Sequence, residues 1–180
     1  MTKVSEIIGT IPDTEPPIDG FVTDKGEKFI ILRAHFKEVE MDVAVSEYVY
    51  TGITGRCKII GRFCTDKRKD ENGQPYNYYY IYAQDIIAVD PEERETNEIY
   101  INAKITKVGK FIVTSKGVEI QFVYATTMDM FGKTDVLKIC LKGEDARRFH
   151  SLPPGTYVKG YGYMKAYKNT IEILMHELEE

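Results

Sequence analysis

The sequence contains no tryptophan, only three cysteines and only three histidines in 180 residues. Each shortage excludes something. Without tryptophan, any ring offered to a ligand must come from the 13 tyrosines or 8 phenylalanines. Cys57, Cys64 and Cys140 are odd in number and lack framework spacing, which excludes a disulfide scaffold and suits reduced thiols in a cytosolic protein. No Cys/His set has zinc-ligand spacing, so no metal is expected. His35, His150 and His176 stand far apart in sequence, and there is neither a phosphate-cradling glycine loop nor a nucleophile elbow. The expectation is a protein that is not an enzyme and carries no cofactor. No apolar run approaches membrane-spanning length, and the opening MTKVSEIIGTI has no signal-peptide pattern, so no membrane partner is expected. A basic excess is also missing. The net charge is −4 and the pI about 5.5, so attraction to a polyanion must come from local placement of cations.

What is present is a repeat. Phe21-Val22-Thr23-Asp24-Lys25-Gly26 and Ile112-Val113-Thr114-Ser115-Lys116-Gly117 start 91 residues apart, about half the chain. The flanks agree. Phe29–Ala34 matches Ile120–Ala125 at offset 91, and Ile7–Ile11 matches Ile101–Ile105 at offset 94. Ile81–Ile86 matches Ile173–Leu178 at offset 92, and Lys58–Gly61 matches Lys159–Gly162 at offset 101. Drifting offsets are what two copies with different loop lengths produce. The expected organisation is one domain over 1–90, a polar linker over 91–97, and a second domain over 98–180. Glu92, Glu93 and Glu95 read as solvation of that linker.

Period-two alternation predicts strands at 4–11, 27–36, 39–45, 56–63 and 76–83, with a short helix at 46–51 capped by Ser46. Prolines at 12, 16 and 17 break the first strand. Residues 65–75 read as a loop with an Asn72-Gly73 tip. The second copy repeats the plan, with strands at 99–106, 118–126, 134–141, 157–165 and 170–178 and a helix at 143–151. The fold class is therefore all-β. Five strands with a short helix between strands 3 and 4, twice over, is the plan of two tandem oligonucleotide/oligosaccharide-binding (OB-fold) barrels. A β-sandwich is the alternative.

Asn97-x-Ile99-x-Ile101-x-Ala103-Lys104-Ile105 resembles the opening strand of bacterial single-stranded DNA-binding proteins. Lys3–Ile11 follows the same plan, and Thr54–Phe63 resembles that family's Lys-Gly-x-x-Val-x-Val-x-Gly-Arg-Leu strand. The resemblance spans nearly the whole chain, twice. It implies sequence-independent binding of single-stranded DNA in replication, recombination or repair. By the same analogy, two barrels per chain imply a homodimer with four barrels. The chain departs from the family in lacking tryptophan platforms and in ending Glu177-Leu178-Glu179-Glu180 straight off a strand, which puts tail-mediated recruitment of partners in doubt. A protein-interaction barrel pair in a primosome-like assembly, as in primosomal replication protein N, is the alternative.

Binding single strands without base readout needs flat rings and cations along outward strand faces. Lys159, Tyr161, Tyr163 and Lys165 share one face by alternation, with Tyr167 and Lys168 at the hairpin tip. Lys58 and Arg62 are the aligned cations of the first copy, and Arg33 aligns with Tyr124. Tyr78 and Tyr80 share a face of another strand, and Lys67, Arg68 and Lys69 crowd the 65–75 loop. Lys104 and Lys107 add charge near the second copy's first turn. These seventeen residues are the candidate DNA-binding set.

Overall fold

The computed structural model describes residues 4–128, 134–167 and 170–179, and it is built almost wholly of strands. In chain order these are β1 (Ser5–Ile11), β2 (Ile18–Val22), β3 (Lys28–Phe36), β4 (Val39–Ser46), β5 (Gly55–Lys69), β6 (Pro75–Ala88), β7 (Thr96–Val113), β8 (Glu119–Met128), β9 (Thr134–Lys142), α1 (Glu144–Phe149), β10 (Tyr157–Tyr167) and β11 (Thr170–Glu179). Among the described residues no helix is long and apolar enough to cross a membrane. The chain divides into two compact units, Met1–Cys64 with Tyr79–Ile99, and Thr65–Tyr78 with Tyr100–Glu180.

In the first unit the strands follow one another around a closed circuit, β1-β3-β4-β6-β5 and back to β1. The β4–β6 pair is parallel, while β1–β3, β1–β5 and β3–β4 are antiparallel. In the second unit the circuit β7-β8-β9-β11-β10 closes on β7, and β9–β11 is the parallel pair. Both circuits are the five-stranded OB connectivity, with strand 3 beside strand 5. Closure removes most open edges, a liability for any sheet protein.

The equivalences run down to single hydrogen bonds. In the first turn the Thr23 N–H donates to the Glu27 carbonyl (2.9 Å) and the Gly26 N–H to the Thr23 carbonyl (2.8 Å). In the second, Thr114 N–H donates to Val118 (2.9 Å) and Gly117 N–H to Thr114 (2.9 Å). The threonine hydroxyl accepts from the N–H four residues on in both, Glu27 at 3.1 Å and Val118 at 3.0 Å. Gly26 and Gly117 sit at φ 80° and 75°, a conformation that costs a side chain steric strain. A second pair is as close. A Cβ on Gly61 would lie 2.2 Å from the Tyr82 carbonyl oxygen, and one on Gly162 would lie 2.5 Å from that of Leu174. Gly61 and Gly162 are aligned by the repeat, and so are Tyr82 and Leu174.

The copies differ where the sequence differs. Pro12, Pro16 and Pro17 split the first strand of the first copy into β1 and β2, because proline cannot donate to a ladder. The second copy has no proline there, and β7 runs 18 residues, absorbing its curvature in register shifts between Ile105 and Lys107 and between Val108 and Phe111. The helix expected at 46–51 is not formed. Ser46–Tyr50 is a single turn closed by Val49 and Tyr50 N–H groups on the Ser46 carbonyl. Among the described residues only the second copy has a helix, where Ala146 and Phe149 are fully buried. The loop expected at 65–75 is also shorter. β5 and β6 continue as a ribbon to Lys69 and from Pro75, and only 70–74 turns, with Asp70 Oδ1 accepting from the N–H of Asn72 and Gln74 (2.9 and 2.8 Å).

Both cores are mostly aliphatic, each with buried phenylalanine. Ile7, Leu32, Phe36, Val43, Ile59 and Ile81 fill the first, and Ile99, Ile105, Leu137, Ile139, Phe149 and Ile173 fill the second. Burying such a side chain contributes roughly 1.5–3 kcal/mol. Phe29 departs from simple alternation. It is buried on the side of β3 shared with Arg33, because the Phe21 ring stacks on it at 4.9 Å and Tyr82 lies at 5.6 Å. Glu95 is more than linker solvation. Its carboxylate takes Arg56 Nη1 at 2.5 Å and the Lys37 N–H, while Thr96–Glu98 pair with β1.

Candidate nucleic-acid interface

Outward strand faces, rather than any enclosed cavity, carry the candidate residues. Along β10 the exposure alternates cleanly: Val158, Gly160, Gly162 and Met164 point in, while Tyr157, Lys159, Tyr161, Tyr163, Lys165 and Tyr167 point out. Tyr157, Tyr163 and Tyr167 are 63%, 39% and 50% exposed. The neighbouring strands extend this face. Tyr100 of β7 meets the Tyr161 ring at 5.2 Å, Lys104 Nζ lies 5.7 Å above the Tyr157 ring, and His176 of β11 stacks on Tyr163 at 6.3 Å. The cations here have acidic neighbours. Lys159 Nζ is 3.7 Å from Glu179, and Lys165 stands opposite Glu172.

A second face of the same barrel lies on β7, β8 and β9. Lys107, Tyr124 and Lys138 stand opposite one another in a row across three strands. Residues directly opposite in an antiparallel pair share a face with Cβ atoms about 5 Å apart. One step along β8, Phe122 lies under Lys138, whose Nζ is 4.2 Å from the ring centroid, a cation–π contact. No described acidic side chain is paired with Lys107 or Lys138. Gln121, fully buried beneath, holds β8 to β7 by donating to the Gly109 carbonyl at 2.8 Å, and its Oε1 meets His150 Nδ1 at 2.9 Å.

The corresponding face of the first barrel is built of different residues. Arg33 sits opposite Asp42, as Tyr124 sits opposite Lys138. Arg33 donates from Nε to Asp42 (3.0 Å) and from Nη1 to Glu40 (2.7 Å). Burial lowers the Arg33 pKa and Asp42 and Glu40 raise it; the net shift is upward. His35 lies between Glu15 (3.3 Å) and Glu40 (3.7 Å). On β5, Lys58 Nζ reaches Glu6 at 3.4 Å, and Arg62 is exposed beside Tyr82.

The β5–β6 ribbon carries Lys67, Arg68 and Lys69, all exposed. The Arg68 guanidinium lies 3.4 Å over the Tyr78 ring, and Lys69 and Tyr76 line a shallow concavity with Asp70, Glu71 and Asn72. Tyr80 is corrected by its position. At 8% exposure it belongs to the core, and its ring faces are closed to a base. Tyr79, the residue before it, stacks on Phe63 at 5.5 Å. Lys168 lies outside the described residues. Thus Lys159, Tyr161, Tyr163, Lys165 and Tyr167 come together on one face, Lys107 and Tyr124 on another, while Lys104 joins the first through Tyr157. Arg33 and Lys58 are engaged by carboxylates.

Tyr100, Phe122, Lys138, Tyr157 and His176 were missed by the sequence reading. Period two alone would have found Tyr157, two before Lys159, and Phe122, two before Tyr124. Lys138 and Tyr100 come in through register, which alternation does not give. The cysteines are uninvolved: all three are buried, and burial pushes the Cys57 thiol up to about 11 against the opposing pull of an Ile11 backbone hydrogen bond and Arg56.

The fold is a pair of OB barrels, and solved structures share it over nearly the whole chain. The single-stranded DNA-binding protein from Thermus aquaticus, as the deletion mutant delta 228-252 R190A, matches with TM-score 0.76 at 15% identity, covering 98% of this chain and 93% of that one. The wild-type protein matches with TM-score 0.74 at 15% identity, covering 98% and 91%. The protein priB from Ralstonia solanacearum covers 47% of this chain and 98% of its own at 19% identity, with a TM-score of only 0.40. No protein-family model matches the sequence, and neither does any curated protein.

Proposed function

We propose that the chain is a non-enzymatic, largely sequence-independent single-stranded DNA-binding protein that protects unpaired strands in replication, recombination or repair. The observation that carries this reading is the Lys107–Tyr124–Lys138 row with Phe122 under the Lys138 ammonium. It runs from strand 1 onto strands 2 and 3 of an OB barrel, and strands 2 and 3 form the surface that such barrels use for oligonucleotides. Rings there offer stacking worth about 1–3 kcal/mol per base, and the ammonium groups release counterions from phosphates. The β10 face adds further rings and cations. The local excess of cations answers the net charge of −4, because steering acts over roughly a Debye length of 8–10 Å. Arg62, Lys67–Lys69, Tyr78 and Lys104 complete the proposed contact set; Tyr80 is left out as buried, and Arg33 and Lys58 as held by carboxylates. The proposed domains are 1–90 and 98–180, the proposed assembly a homodimer of four barrels, and the proposed compartment the cytoplasm.

Titration of a fluorescent oligo-dT and of a duplex of equal length, at rising salt, tests this. Tight, salt-sensitive binding of the single strand over the duplex is expected; no binding at low salt overturns it. One observation favours a second reading, a protein-interaction module in a primosome-like assembly. Ile18 and Val22 on β2 are 56% and 61% exposed, and Tyr48 on the turn after β4 is 87% exposed. That reading predicts a partner that survives nuclease in pull-downs.

A further inference from the structure

We infer that the two barrels are unequal by construction: of these two equivalent faces, the β3–β4 face of the first is held silent by its own carboxylates, and only the β8–β9 face of the second takes up single strands. This rests on the single-strand reading above and assigns the roles within it. The two faces occupy the same place in the same fold. In the second, the cross-strand row is Lys107, Tyr124 and Lys138, with Phe122 adjacent. In the first, the matching pair is Arg33 and Asp42. The one guanidinium that could meet a phosphate there already donates to Asp42 at 3.0 Å and to Glu40 at 2.7 Å. Glu15 and Glu40 flank His35 on the same strand. With His35 neutral, that cluster holds one positive charge against three negative ones. A phosphate entering would have to displace two carboxylates from Arg33 and then sit beside them unpaired. Like charges at such range repel, and the face has no ring at the position of Tyr124 to offset it.

Arg33 is 38% and Glu40 53% exposed at the side chain, so the lock sits at the surface and can be opened without excavating the core. Glu40→Gln with Asp42→Asn removes two negative charges and frees the guanidinium. Tyr124→Ala with Lys138→Glu removes the ring and reverses the cation in the second barrel. Both double variants and the wild-type full chain are titrated with fluorescein-labelled dT oligomers of two lengths by anisotropy, with stoichiometry by calorimetry. The wild type is expected to bind one strand per chain through one class of site. The second-barrel variant is expected to lose about tenfold to a hundredfold in affinity. The first-barrel variant is expected to gain about tenfold on the longer oligomer and to steepen the salt dependence by about 0.7 for the cation released. Glu40→Lys alone, at a half-exposed site, is expected to shift binding in the same direction should the Asp42 change disturb folding.

Wild-type binding with no gain from either first-barrel variant, or with full affinity kept by the second-barrel variant, overturns the inequality and leaves the single-strand reading standing. Absence of wild-type binding sinks that reading and the inequality with it.

Discussion

The two barrels share a circuit of strands, a turn and a buried-side glycine, yet their outward faces have opposite character. At the matching cross-strand position one holds Arg33 against Asp42 and the other holds Tyr124 against Lys138. The difference teaches that duplication fixes what the backbone needs and leaves surface chemistry free to drift. Glycine at 61 and 162 cannot change, because the neighbouring strand's carbonyl occupies the space of a Cβ. Outward side chains meet no such limit.

The largest expected effect tests the shared part. Gly61→Ala and Gly162→Ala force a methyl group against backbone oxygen, and overpacking of this kind costs about 1–3 kcal/mol or more. Urea denaturation should show both destabilised, with Gly61→Ala the worse because its clash is closer, at 2.2 against 2.5 Å. Equal stability to wild type would remove the structural case for the aligned glycines.

Next in size is a contrast of tyrosines. Tyr161→Ala with Tyr163→Ala should weaken oligo-dT binding about tenfold or more, given 1–3 kcal/mol per stacked base. Tyr79→Ala should instead lower the melting temperature, since Tyr79 stacks on Phe63, and leave affinity nearly unchanged. Circular dichroism with a titration of each variant checks this, and a reversed order counts against the β10 face.

A smaller effect separates free from engaged cations. Lys107→Ala should reduce the slope of log affinity on log salt by about 0.7, the value for one phosphate contact on a single strand. Lys58→Ala should leave the slope unchanged, because Lys58 faces Glu6 at 3.4 Å. Matching slopes for the two variants would erase the distinction between the faces.

The smallest concerns Glu95, in the first barrel alone. Burial raises its pKa, but the Lys37 N–H and Arg56 outweigh this and hold it below the usual carboxylate range. A depressed folded pKa contributes stability above the unfolded value, near 4.5, that is lost as pH falls through the folded one. Glu95→Gln should therefore cost up to about 1 kcal/mol at pH 7 and less at pH 3, read as melting temperatures at both. A cost independent of pH would mean that charge plays no part.

Much of the fold was legible in the residues. The echo of FVTDKG and IVTSKG located two turns with the same hydrogen bonds, and alternation gave Lys159, Tyr161, Tyr163 and Lys165 on the outward face of β10, stopping short of Tyr157. Errors arose where a local signal met a tertiary competitor. Ser46 looked like a helix cap, but only a single turn over Ser46–Tyr50 forms before the chain enters β5. The polar run 65–69 looked like a loop, but it pairs with β6 as the continuation of a ribbon. Tyr80 looked like a surface ring, and the barrel buried it.

By itself, then, the sequence determined the doubled plan, the all-β class and which residues of a strand share a side, because these follow from spacing along one chain. Only the tertiary structure decided which cations are available. Whether an ammonium or guanidinium is open to a phosphate depends on what stands opposite it on the next strand, and register sets that. Arg33 and Lys107 look alike in sequence; one meets Asp42 and the other meets Tyr124.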